Sequence, residues 1–185
     1  MKASIYQMFK GGVSMFWRLF KRTQIQIDEQ KIKELRSRGV RIGQSCRIYA
    51  TEFSTEPYLI DIGDNVAIAG GAKFLTHNGL ASMIRDKYPG IQVFGRIRIG
   101  SRSFIGQDAI LLPGTEIGQD CIIGAGAVVR GKIPDDSLVI GNPAKIIGKA
   151  TDVLAKLETS PNRLDLYDVS AEERRKRLEK HFSIT

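Results

Sequence analysis

From Ile99 onward the chain divides into sixes, and few folds tolerate such a period. The blocks IGSRSF, IGQDAI, LLPGTE, IGQDCI and IGAGAV begin at positions 99, 105, 111, 117 and 123. Each opens on Ile or Leu. The second residue is usually glycine (Gly100, Gly106, Gly118, Gly124), and the fifth is always small (Ser103, Ala109, Thr115, Cys121, Ala127). The pattern also occurs earlier, in IGQSCR (42–47), IGDNVA (62–67) and IAGGAK (68–73). Neither a helix nor an alternating strand produces a strict six with two inward positions. A coil of three short flat strands and three turns does. The aliphatic first residue fills the interior, and the small fifth residue fits under a corner. Glycine and Asn/Asp at the turns tolerate positive φ. Successive coils stack at the ~4.8 Å spacing of paired strands. The expected fold is an all-β hexapeptide solenoid, whose two ends need caps because each coil buries its face only against its neighbours.

The flanks read differently. Residues 1–39 are predicted as a helical N-terminal segment, 40–149 as the solenoid with a loop excursion at 78–95, and 150–185 as a helical tail. Ile5, Phe9, Val13, Phe16 and Phe20 share one helical face, and Ile27, Ile32 and Leu35 precede Gly39. Helices are expected at 150–158 and 170–182, with a break near Pro161.

The net charge of +8 sits at one end. Residues 1–41 hold 10 Lys+Arg against 3 Asp+Glu, residues 42–150 hold 11 against 10, and residues 151–185 hold 7 against 7. A nucleic-acid groove would put its charge on the folded body, so no nucleic-acid partner is expected. Cys46 and Cys121 both occupy the fifth, inward slot and read as small core fillers. With two distant histidines they form no metal set by spacing. No stretch is long and apolar enough to span a bilayer, and no secretory signal is evident; the expected address is cytoplasmic. Residues 1–22, with Phe16 and Trp17 beside Lys and Arg, fit either an interfacial membrane helix, peripheral at the inner membrane surface, or a cap on the solenoid. His181, in the alternating charges of the tail, reads as incidental.

The longest break in the repeat is at KFLTHNGLASMIRDKYPG (73–90). In the block FLTHNG, His77 takes the fourth position, the exposed corner, and Asn78 falls in the inward small slot. Counting in sixes from Phe74 misses Ile99 by one, so the register slips and the intervening segment must leave the coil as a loop. Long loops in compact domains are often functional. His77 is the only histidine of the solenoid and stands at the loop's root. A neutral imidazole in a cleft can take a proton from a hydroxyl at neutral pH and return it to a leaving group. Backbone N–H groups at the turns can hold the oxyanion of an acyl transfer. Glu56, in TEPYL, precedes His77 by a little more than one coil of three hexads. Three readings are open for it: orienting the imidazole, holding an acceptor hydroxyl, or standing as a solvated loop carboxylate.

The hexads, THNG with its loop, EPYLIDIGDNV, IIGAGAVVRGKIP and VIGNPAKII together resemble the hexapeptide-repeat acyltransferases. Within these the chain is most similar to the sugar O-acetyltransferases: the maltose and galactoside enzymes and their capsule, exopolysaccharide and O-antigen relatives. The resemblance covers roughly residues 40–150. It implies a left-handed parallel β-helix, a homotrimer with active sites between subunits, and acetyl-CoA as cosubstrate without a metal. It matches His77 to the family's general base, acting on a hydroxyl of a saccharide acceptor. Thr76 and Asn78 flank it on the acceptor side. Gly106, Gln107, Ala125 and Gly126 match backbone positions along the pantetheine, and Phe104 stands where the family has Trp. Arg130, Lys132 and Lys145 are the cations nearest the expected CoA phosphates, although Arg130-Gly131 replaces the family's usual Thr-Lys. Transfer to an amino sugar and a non-catalytic scaffold remain alternatives. A hexapeptide-repeat carbonic anhydrase does not fit, because that enzyme needs three metal-binding histidines.

Overall fold

The computed structural model describes residues 29–50, 52–166 and 169–184. The helical expectation for residues 1–28, and with it the membrane-facing reading of 1–22, lies outside the described residues. The described residues up to Glu158 form one compact unit, and those from Thr159 onward belong to a second.

In the first unit the hexads build a left-handed parallel β-helix. A five-stranded sheet stacks Arg41–Ile42, Ile60–Ile62, Ile97–Ile99, Glu116–Ile117 and Lys132–Ile133. A four-stranded sheet stacks Glu52–Phe53, Lys73–Phe74, Ile110–Leu111 and Val128–Val129. Between them in chain order lies a six-stranded sheet. It stacks Arg47–Ile48, Ala67–Ile68, Phe104–Ile105, Ile122–Ile123 and Ser137–Ile140, and Lys145–Lys149 closes it by pairing antiparallel to the last of these. We call these the first (five-stranded), second (six-stranded) and third (four-stranded) sheets, after the order in which the chain visits them.

The two inward positions of each hexad make the core. Ile99, Ile105, Leu111, Ile117 and Ile123 are buried, and so are Ser103, Ala109, Thr115, Cys121 and Ala127. Both cysteines are free and buried, and loss of water pushes both thiols above their ordinary pKa. The Cys121 thiol points at the Pro134 carbonyl, 3.0 Å away. Their slots hold small hydrophobes, not nucleophiles.

The glycines divide into two jobs, where the hexad pattern alone suggests one. Left-handed φ occurs at the fourth position, at Asn65, Arg102, Asp108, Gly114, Asp120 and Gly126. The second-position glycines lack it. A Cβ on Gly100 would instead run into the backbone of Gly118 in the next coil, and one on Gly106 would lie 2.5 Å from the Ala125 nitrogen. Stacking distance, not turn conformation, requires glycine there. Gly100→Ala is therefore expected to force adjacent coils apart and to cost ~1–3 kcal/mol, the usual penalty of overpacking. Gly70→Ala is the control: its Cβ would meet nothing within 4 Å, and a change below ~0.5 kcal/mol is expected. Urea midpoints of the two variants, compared with wild type, check both.

Both ends are covered. At the first coil, residues 29–37 are helical and bury Leu35. Arg36 Nη2 donates to the carbonyls of Ile42 and Gly43, each at 2.8 Å, which satisfies acceptors at an open sheet edge. At the other end the helix Ala150–Glu158 buries Ala150, and Asp136 Oδ1 accepts from the Thr151 N–H at 2.8 Å. In the second unit the helix Ala171–His181 is N-capped by Ser170, which accepts from the Glu173 N–H.

The coils differ in length, and that difference positions the site. Paired residues of the first sheet run Arg41, Asp61, Arg98, Glu116 and Lys132, and the interval from Asp61 to Arg98 is by far the longest. This long coil is a regular one carrying an insertion. Phe74 pairs with Leu111 and Ile99 with Ile117, so the stretch from Phe74 to Ile99 spans what a single hexad spans next door, and the remainder is extra. The extra residues of the first coil follow Phe53 and precede Ile60. Both insertions therefore leave at the same corner, where the chain passes from the third sheet to the first.

Candidate active site

Residues 54–59 and 77–96 rise from that corner as neighbours. The longer excursion is pinned at its root. Gly95 N–H donates to the Thr76 carbonyl and Asn78 N–H to the Val93 carbonyl, each at 2.8 Å, and His77 bridges antiparallel to Phe94. Arg96, on the returning limb, pairs with Asp61 of the preceding coil, which also holds Arg41. Burial alone would lift the Asp61 carboxyl, but the two guanidiniums outweigh it and hold it below the usual carboxylate range. Beyond the root the chain forms a 3-10 helix, Gly79–Ile84, and Asn78 caps it by accepting from the Leu80 N–H.

The register at this corner differs from the hexad reading. His77 is not a left-handed turn residue, because the coil is abandoned before the turn. The inward slot assigned to Asn78 is filled across the insertion by Ile97, which pairs with Ile60 and is fully buried. Asn78 is half-buried at the mouth of the loop, with its amide oxygen committed to Leu80.

His77 and Glu56 meet. The imidazole Nδ1 lies 3.3 Å from Glu56 Oε2 and 3.4 Å from Thr55 Oγ1. The His77 side chain is 50% exposed and that of Glu56 only 17%. Thr55 Oγ1 donates to Glu56 Oε1 at 2.7 Å, and Thr76 Oγ1 to Oε2 at 2.9 Å. The Thr55 hydroxyl is the main reason the carboxyl titrates below an ordinary glutamate; Thr76 and His77 add to it against partial desolvation. An ionised partner at Nδ1 selects the tautomer with the proton on that nitrogen. Nε2 is left with its lone pair, the form a general base needs. Thr76, grouped above with the acceptor contacts, has no exposed surface. Its hydroxyl belongs to the carboxylate and is out of an acceptor's reach.

A cleft of about 350 Å³ opens over the pair. Thr55, Glu56, His77, Asn78 and Gly79 form its floor side, and Ala81, Arg85, Gln92, Val93 and Phe94 its loop side. Sequence reasoning missed Thr55, Arg85, Gln92 and Phe94. A usable signal was present for the first of these: the hydroxyl-rich STE (54–56) sits in the only other stretch where the early hexads lose count.

The residues assigned to the coenzyme lie elsewhere on the prism. Gly106, Gln107, Ala125 and Gly126 stack along the corner from the second to the third sheet, where Gly126 N–H donates to the Gln107 carbonyl at 2.8 Å. Phe104 is half-exposed on the outer face of the second sheet, and Lys145 opens the antiparallel strand there. Arg130 stands on the His77 corner two coils further on. Lys132 pairs with Glu116 at 3.7 Å. Within one chain, then, Glu56 and His77 come together, while the glycine corner stays apart from them. Among the described residues no cluster of His, Cys, Asp or Glu could hold a metal, and no helix is long and apolar enough to cross a membrane.

The model for bacterial transferase hexapeptide repeats (six repeats) matches residues 96–131. The protein CapG of Staphylococcus aureus is 45% identical over 136 residues, which cover 72% of this chain and 76% of CapG. Among solved structures, a maltose O-acetyltransferase of Clostridium difficile superposes with a TM-score of 0.50 at 26% identity, over 77% of this chain and 84% of that one. A hexapeptide-repeat acetyltransferase of Vibrio cholerae reaches 0.55 at 28% identity, over 60% of this chain and 63% of its own. The Vibrio protein has also been solved with acetyl-CoA, where the match spans 61% of that chain. This chain thus spans less than two thirds of the Vibrio protein.

Proposed function

This chain belongs to the hexapeptide-repeat acyltransferase family, and from that premise we propose that it transfers acetyl from acetyl-CoA to a hydroxyl of a saccharide. The observation that carries the reading is the His77–Glu56 pair at the floor of a cleft built by two insertions at one corner. Acetyl-CoA supplies an acyl group activated as a thioester. His77 Nε2 removes the proton of the acceptor hydroxyl as its oxygen bonds to the thioester carbonyl. The C–S bond then breaks, and the same imidazole returns the proton to the leaving sulfur. Glu56 steadies the imidazolium formed in between, and backbone N–H groups meet the oxyanion.

The glycine corner suits an extended pantetheine, because a Cβ on Gly70 or Gly126 would meet nothing within 4 Å. Lys145, on the second sheet, and Arg130, on the His77 corner, are exposed cations for the phosphates, and Phe104 is an exposed ring on the second sheet. Because that corner and His77 lie on different edges of one chain, a site using both is completed by a second copy, and a homotrimer closes the arrangement. Half-exposed Val93 and Phe94, beside His77, give a sugar ring an apolar wall. The similarity to a maltose O-acetyltransferase supports a sugar acceptor, and the motif resemblance to capsule and O-antigen enzymes supports surface polysaccharide synthesis. Acetyl-CoA is a cytoplasmic metabolite, which puts the reaction there.

Calorimetric titration of acetyl-CoA into the full chain tests the reading before any acceptor is known. Saturable binding at one site per chain is expected. A folded oligomer that binds nothing at millimolar coenzyme sinks it and leaves a solenoid scaffold. With binding in hand, a saccharide panel follows; an alkali-labile ester as product, and not an amide, separates O- from N-transfer.

A further inference from the structure

The described cavities, charge clusters and apolar faces lead back to the corner just described, where one group has no part in the reaction. Thr76 is fully buried, directly precedes His77, and carries a hydroxyl that no acceptor can reach. We propose that Thr76, backed by Ser54, is a positioning residue that locks Glu56 against His77 and so sets which imidazole nitrogen is the base. This rests on the reading of His77 as the general base.

The hydrogen bonds run in one direction. Glu56 is ionised and can only accept, so at 2.9 Å the Thr76 hydroxyl proton goes to Oε2. Thr76 Oγ1 and Ser54 Oγ lie 2.6 Å apart, and with the single Thr76 proton committed to Oε2 the serine must be the donor between them. The other acceptor near Ser54 Oγ is Glu56 Oε2 itself, at a longer 3.4 Å, so either way the serine proton serves the same carboxylate system. Ser54 Oγ in turn accepts from the Thr76 N–H at 3.2 Å. The backbone at the root of the long loop, the two hydroxyls and the carboxylate thus form a closed set. Oε2 is the same oxygen that faces His77 Nδ1. Thr55 holds the other oxygen, so the carboxylate cannot rotate without losing donors on both sides. With an alkyl group in place of the Thr76 hydroxyl, a largely buried carboxylate oxygen would face an apolar wall, and the group would turn toward water.

This arrangement also couples the two insertions. Ser54, Thr55 and Glu56 come from the first coil's extra residues, and Thr76 and His77 from the root of the second's. Neither segment alone orders the pair. The hydroxyl of Thr76 acts on the reaction only through Glu56, so its removal should change the imidazole's tautomer and leave coenzyme binding alone.

The test is long-range ¹H–¹⁵N spectroscopy of the full chain labelled at histidine, with His181→Gln to assign the two rings. Wild type is expected to show neutral His77 protonated at Nδ1. Thr76→Ser keeps that tautomer and keeps kcat within about threefold. Thr76→Val, matched in shape, is expected to give mixed tautomers, a displaced acid limb of the pH–rate profile and a ~10–100-fold lower kcat. The KM for acetyl-CoA should not move. A folded Thr76→Val with the wild-type tautomer overturns the proposal, and so does a wild-type ring protonated at Nε2. Should Thr76→Val fail to fold, Ser54→Ala reads the same relay one step back, and an unchanged tautomer and unchanged kcat there overturn it. Because the spectra need neither coenzyme nor acceptor, an Nδ1-protonated His77 in a chain that binds no acetyl-CoA would reject the acyltransferase reading and leave the positioning role standing.

Discussion

His77→Ala is expected to lower kcat for acetyl transfer by ~10²–10⁴-fold, the range that general-base catalysis contributes, while acetyl-CoA affinity and melting temperature stay at wild-type values. The split follows from position. The side chain is half-exposed over a cleft and holds up nothing in the core, and the glycine corner assigned to the coenzyme lies on another edge of the prism. Steady-state kinetics together with calorimetry would read the three quantities. Equal losses in affinity and kcat would point to collapse of the loop root instead. Glu56 stays ionised to lower pH than an ordinary glutamate, because its donors, Thr55 first, hold its carboxyl below the usual value. The sign for stability follows: a depressed carboxyl contributes fully above the ordinary value of ~4.3, and the contribution is lost only as pH falls through the lower folded one.

Phe74→Ala is the substitution with the largest expected effect on stability, ~3–5 kcal/mol. The Phe74 ring is buried and stacks on Phe53 with centroids 4.6 Å apart and planes 5° from parallel. Truncation loses its transfer free energy and leaves a cavity that the short strands on either side cannot close without shifting coils. The cavity would lie directly under the root of the long loop, so activity should fall with stability. Phe74→Leu keeps most of the volume and is expected to cost less than half as much. Urea denaturation with the m-value held constant checks the pair; a loss under ~1 kcal/mol for alanine would mean that the core there is not as packed as the two rings indicate.

The solenoid was legible because its rule is local. Ile99, Ile105 and Leu111 pair with Ile117, Ile123 and Val129, each three hexads further along the chain, so in this stretch the period alone says which residues face inward. The helices at Ala150–Glu158 and Ala171–His181 lie where the break near Pro161 suggested. The glycines show the limit of such reading. Their spacing is visible, but whether Gly106 serves a turn or a close approach depends on where Ala125 stands in the next coil. Across the loop, counting in sixes fails for the same reason. It put Asn78 in an inward slot because it could not know where the chain leaves the coil and that Ile97 takes the slot on return.

The sequence by itself determined the stacked coil, its interior and the place of its one long excursion, since each depends on contacts that repeat at short range. Only the tertiary structure decided that the TEP segment and the THN segment leave at one corner, that Ser54, Thr55 and Thr76 all turn their hydroxyls on one carboxylate system, and that Gly106 and Gly126 lie on a different edge from His77. Those facts depend on coil length. A solenoid turns each residue inserted before a corner into a rotation or a loop, and where successive coils differ in length as these do, no fixed period can say which side chains end up face to face.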